Sequence, residues 1–132
     1  SSPEDDCNTS DLLRAQSRRQ QEEGDQDRVL GEYQESANHY NAALSMDPCN
    51  PFAWHSMGLL AISGGDLDAA IRALRNATEL APTHYGALTS LGEAYERSGN
   101  PTRAIEAYDR ALAIHPQHAP ARQGLARIQG SR

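Results

Sequence analysis

There is no lysine in these 132 residues; all twelve basic side chains are arginine. That excludes Schiff-base chemistry and the lysine of a phosphate-binding loop. Aromatics are scarce, at one phenylalanine, one tryptophan and five tyrosines. A ring-rich core is therefore excluded, and alanine and leucine must do most of the packing. Alanine-rich sequence with few β-branched runs favours helix. No apolar run approaches the roughly eighteen residues that cross a bilayer, so membrane insertion is not expected. A charged, apolar, then small-residue leader pattern is also missing. The chain opens on Ser1 rather than methionine, as a trimmed or processed chain would. Cytoplasmic placement is the default expectation.

Cysteine is almost absent too. Cys7 and Cys49 stand far apart, with no CxxC or other metal-binding spacing. Two free thiols are the simpler expectation; a disulfide tying the tail to the first inter-repeat loop stays open. The five histidines (His39, His55, His84, His115, His118) include no HExxH pattern. The nearest approach to a metal pair, His115 and His118 in "HPQH", spans a proline with no cysteine near it. No nucleophile elbow, glycine-rich phosphate loop or convincing carboxylate pair occurs. Neither an enzyme nor a cofactor site is expected. Asn8 and Asn76 each begin a glycosylation-like triplet, but the pattern is short and Asn76 falls within a helical stretch.

Charge is unevenly placed. The net charge of −6 sits mostly in residues 1–27, which hold eight acids and three arginines. The remainder is near neutral. An acidic chain repels a phosphate backbone, so nucleic acid is not an expected partner. Residues 1–10 carry acids and no apolar periodicity, and are expected to form a disordered acidic tail.

What the chain does have is a period of thirty-four. "RAIEAYDRALAIHP" at 103–116 has blurred copies at 69–82 and 35–48. Gly24, Gly58 and Gly92 keep the step, as do Gly31, Gly65 and Gly99, and Pro48, Pro82 and Pro116. Ala43, Ala77 and Ala111 follow it, and so do Tyr40, Leu74 and Tyr108. Each class has a task in a two-helix unit. The first glycine lets two helices cross closely. The second can take the left-handed conformation that ends a helix. The alanine is small where helices pack, and the proline closes the unit.

This pattern resembles the tetratricopeptide repeat, a helix-turn-helix unit of that period. Residues 85–118 carry it best, through Leu88, Leu91, Gly92, Tyr95, Ala104, Tyr108, Ala111 and Pro116. Residues 51–84 follow with Trp54, Met57, Gly58, Ala70, Leu74, Ala77 and Pro82, though Ala61 stands where a large aromatic is usual. Residues 17–50 match in the second helix (Tyr33, Ser36, Tyr40, Ala43, Pro48), whereas Gln20, Glu23 and Asp27 occupy normally apolar positions of the first. That first helix is expected to be loosely packed, frayed or solvent-facing, with Leu12, Leu13 and Ala15 supplying contacts one turn back. Residues 119–129 read as a capping helix, with Leu125 and Ala126 buried and Arg122 replacing a large apolar residue. The resemblance implies an all-α, right-handed solenoid of about three units plus a cap, in one domain over 11–132. First helices are expected near 12–29, 52–63 and 86–98, and second helices near 33–46, 67–80 and 101–114.

The resemblance also implies a non-catalytic interaction scaffold that binds a protein or peptide in the concave groove. Repeat positions 2, 5, 9 and 12 of the first helices should line that groove. They are Arg18, Gln21, Asp25 and Arg28; Phe52, His55, Leu59 and Ile62; Gly86, Thr89, Glu93 and Glu96. The middle set is apolar where its neighbours are polar. Phe52, Leu59 and Ile62, with His55 beside them and Asp25, Glu93 and Glu96 flanking, are the candidate binding residues. Their partner would carry an apolar anchor and a basic residue. Packing against the first repeat, or a fold-back of Leu12 and Leu13, would also account for the strip. Some family members clamp a chaperone's C-terminal carboxylate with lysine, asparagine and arginine. The corresponding Gln21, Asp25, Ser56, Gly86 and Ser90 include no cation, so that ligand is not expected. A self-associating assembly module, or an accessory domain of a larger protein, are the alternative readings.

Overall fold

The computed structural model describes residues 7–130 and contains no strand among them. Seven helices follow one another: α1 (Asp11–Val29), α2 (Tyr33–Met46), α3 (Pro51–Ser63), α4 (Leu67–Leu80), α5 (Tyr85–Arg97), α6 (Pro101–Ile114) and α7 (Ala119–Gln129). They form a solenoid of three helix pairs and a cap. Side chains start most helices by accepting orphan backbone N–H groups. Ser10 caps α1, Asn50 caps α3, Asp66 caps α4 and Asn100 caps α6. His84 does the same for α5 through Nδ1, and Pro51 and Pro101 supply the pre-set φ of a first turn. Within each pair the turn is made by a glycine at positive φ: Gly31 at 81°, Gly65 at 78° and Gly99 at 82°.

The core is uneven along the solenoid. From α4 onward it is apolar, built on Leu74, Leu88, Leu91, Tyr95 and Tyr108 with alanines between them. At the first pair it turns polar. The inner face of α1 buries Ser17, Gln21 and Gly24. Ser17 Oγ donates to the Ala43 carbonyl at 2.7 Å and accepts from Asn50 Nδ2 at 3.0 Å. Ser36 Oγ donates to the Gly24 carbonyl at 2.8 Å. His39 lies 2.6 Å from Asp27 and 3.2 Å from Glu23. Of the readings loosely packed, frayed or solvent-facing, fraying is corrected, since α1 is capped, continuous over nineteen residues and docked on α2, while most of the helix does face solvent, with only Ser17, Gln21 and Gly24 buried. Hydrogen bonds do there what apolar contacts do elsewhere. Leu12 and Leu13 do not fold back, being 68% and 40% exposed.

The expected disordered tail is corrected in part. Residues 1–6 lie outside the described residues. Residues 7–10 are tied down: Cys7 is disulfide-bonded to Cys49, Thr9 Oγ1 donates to Asp47 Oδ1 at 3.3 Å, and Ser10 caps α1. The simpler expectation of two free thiols is corrected with it. The cap differs in one detail. Ala121 and Gly124 are buried and Leu125 and Ile128 partly so, while Ala126 is exposed. Ala126 and Arg122 occupy positions that would pack on the helix's own partner, and none follows α7 among the described residues.

Candidate partner-binding groove

The first helices of successive pairs touch, α1 to α3, α3 to α5 and α5 to α7, so they line one face. Phe52 opens α3 and is 53% exposed, its ring 5.4 Å from that of His84. His55, one turn on, meets His84 edge to face at 4.9 Å. Ser90 donates its hydroxyl to the Gly86 carbonyl at 3.1 Å, so the 3.1 Å contact from His55 Nε2 puts the imidazole proton on Nε2. Burial, then the neighbouring His84 and Arg28, hold the His55 pKa down to about 4. Burial also lowers His84. Leu59 is half-buried, and Ile62 is packed on the apolar core.

The flanking acids are engaged within the fold. Asp25 accepts from Gln21 Nε2 at 2.6 Å and from the Tyr40 hydroxyl at 2.5 Å, with Arg28 at 3.7 Å. Glu93 pairs with Arg97 at 2.9 Å. Glu96 accepts from Arg127 Nε and Nη2, both at 3.1 Å, and from the Tyr108 hydroxyl at 2.7 Å. The Arg127 hydrogen bonds hold the Glu96 carboxyl below its usual range. Of the residues singled out above, Phe52, His55 and the chain around His84 come together at one end of the face. Glu93 and Glu96 lie toward the cap.

Beside Phe52 lies a feature that the sequence did not disclose. A cavity of about 320 Å³ is walled by Arg14 and Arg18 of α1, Pro51 and Phe52 of α3, Leu80 at the end of α4, and the Cys7–Cys49 disulfide with Asp47 and Asn50. Arg18 stands among the groove positions, and Arg14 is one turn before it, on the same side of α1. The parts of the wall are far apart in sequence, and the loop that gathers them is held by the disulfide. Among the described residues no group of three or more histidines, cysteines and acids could hold a metal ion. No helix of the described residues is long and apolar enough to cross a membrane.

Comparison with known proteins bears on the repeats and the fold. A family model described as tetratricopeptide repeat matches residues 55–119. Anaphase-promoting complex subunit 3 of Schizosaccharomyces pombe is 27% identical over 97 residues, covering 74% of this chain, which spans 15% of that subunit's length. The Arabidopsis OM64 TPR domain superposes with a TM-score of 0.86 at 17% identity, covering 91% of this chain and 99% of that one. The first TPR of Spaghetti (RPAP3), solved bound to an HSP90 peptide SRMEEVD, gives a TM-score of 0.86 at 20% identity over 89% of this chain and 94% of its own.

Proposed function

Because this chain carries a tetratricopeptide repeat domain, we propose that it is a non-catalytic adaptor holding a segment of another protein on the α1–α3–α5–α7 face, with Phe52 as the anchoring contact. The observation that carries this reading is Phe52 itself: the chain's single phenylalanine stands 53% exposed at the rim of an open cavity. Large exposed rings beside pockets are where interfaces concentrate binding energy. Affinity capture from lysate of the source organism, read by mass spectrometry, tests it. The native chain should retain a protein that a folded Phe52→Ser, Leu59→Gln variant loses. Equal capture by both would move the site off this face.

The neighbour solved with a chaperone peptide does not extend that ligand to this chain. Gln21 is buried and spends its amide on Asp25, Ser56 is buried, and Ser90 is bonded to Gly86 and His55. No cation meets a terminal carboxylate at these positions. Titration with SRMEEVD is expected to show no saturable binding; micromolar affinity would sink this exclusion.

Self-association is a second reading with its own observation. Val29, Leu30 and Tyr33 are 79%, 75% and 53% exposed where α1 turns into α2. Sedimentation velocity should then show mass rising with concentration, and Leu30→Gln should abolish the rise.

A further inference from the structure

Resting on the reading that this face holds a protein segment, we propose that the segment is acidic beside its apolar anchor and seats between Arg14, Arg18 and Phe52. The cavity's composition sets the chemistry. Pro51, Phe52 and Leu80 offer an apolar floor, and two guanidinium groups stand on one wall. Asp47, the acid in that wall, is 7% exposed and already accepts from the Thr9 hydroxyl and from the Cys49 N–H at 3.0 Å. Arg14 faces Asp11 at 3.6 Å in a pair so exposed that a ligand carboxylate can replace it at little cost. Arg18 is exposed and makes no ion pair or hydrogen bond with another described residue. The N-terminal end of α3, at Asn50–Phe52, adds the positive end of a helix dipole to the same wall.

The alternative sign is disfavoured by what surrounds it. A basic ligand would need an uncommitted carboxylate near Phe52. Asp25, Glu93 and Glu96 are each bonded to an internal partner. Among the described residues that line the cavity, the charge left open beside the anchor is positive, in a chain whose net charge is −6. Arginine presents a planar fork that takes a carboxylate by two parallel hydrogen bonds, so an aspartate or glutamate next to a leucine or an aromatic residue fits both halves of the cavity. This differs from a clamp on a chain terminus, because the carboxylate belongs to a side chain.

A phage-displayed random dodecapeptide library, selected on the intact oxidised chain, supplies the probe. The strongest binder is resynthesised with an amidated C-terminus and its affinity read by fluorescence anisotropy. Selected peptides should pair an acid with a leucine or aromatic residue, and amidation should leave binding unchanged. Arg14→Gln with Arg18→Gln should weaken binding about tenfold and flatten its salt dependence. Phe52→Ser should weaken it by a similar factor. Circular dichroism of each variant confirms the fold, and charge reversal at Arg18→Glu should select basic peptides instead. If the native chain selects basic or neutral peptides, or the arginine variant binds unchanged while Phe52→Ser abolishes binding, the charge assignment is overturned and the groove reading stands. If no selected peptide depends on Phe52, both fall. Binding seen only after Glu4→Gln, Asp5→Asn and Asp6→Asn would overturn an external partner in favour of the chain's own leader.

Discussion

A methyl group added at position 92 would lie 2.6 Å from the Tyr108 ring, while one added at Gly64 meets nothing closer than 3.7 Å. Two glycine-to-alanine changes should therefore have opposite signs. Gly92→Ala should cost about 1–3 kcal/mol, because Tyr108 is buried and cannot yield. Gly64→Ala should be neutral or stabilising by up to ~1 kcal/mol through the unfolded chain. Urea denaturation of both variants checks the pair. Gly92 was legible in sequence because it keeps the thirty-four residue step with Gly24 and Gly58, where two helices cross closely; Gly64 stands outside that register. The state of His55 was not legible, since it depends on burial against a neighbour twenty-nine positions on, His84. Its folded pKa is lowered from 6.5 to about 4, so the unfolded chain binds the proton more readily. Stability from this group is complete above pH 6.5 and is lost as pH falls toward 4. The thermal midpoint should drop across that window, and His55→Gln should reduce the slope.

Among the helices, α1 is where periodicity misled. Its inner face is serine, glutamine and glycine, which reads as solvent-facing by hydropathy. What holds it is a set of donor–acceptor matches to residues twelve to thirty-three positions away, and no hydrophobic pattern reports those. Ser17 is the test. Its hydroxyl satisfies both the Ala43 carbonyl and the Asn50 amide, and it is fully buried. Ser17→Ala leaves both partners short and should cost about 1–3 kcal/mol. Hydrogen exchange should quicken in α1 and the start of α3 while α5 and α6 stay protected, since solenoid units feel mainly their neighbours. The cap was legible as a helix but not in its buried face. Removing a partner helix changes which side of α7 is covered, and Ala126 looks the same in either arrangement.

For the molecule as a whole, the apolar core weakens toward the first pair, and the disulfide stands at that end. The Cys7–Cys49 bond spans a sequence separation of 42 and encloses α1 and α2. Closing such a loop removes denatured-state entropy worth up to roughly 4 kcal/mol. Reduction should lower the guanidinium midpoint and break the single transition into two, the first pair melting ahead of the rest. One coincident transition with and without reductant would contradict this. The solenoid itself was legible from spacing, because each unit repeats the same packing problem. Of the candidate site, Phe52 could be picked out as an apolar residue at a groove position. Arg18 could be placed at a groove position, but the cavity beside it could not, because its lining comes from α1, the first inter-repeat loop, α3 and the end of α4.

That bond also changes what the chain can do under load. Its ends are 42 positions apart in sequence, so about 140–150 Å of contour is withheld from any pull applied to the termini. Stretched singly, the oxidised protein should release its length in steps from the last two pairs and the cap, and stop short. Adding reductant should restore the missing extension. Phe52 and α3 lie outside the locked segment, Arg14 and Arg18 inside it. A tug on the C-terminal side would thus pull one wall of the cavity away from the other, and whatever was held there would be let go while the first pair stayed folded.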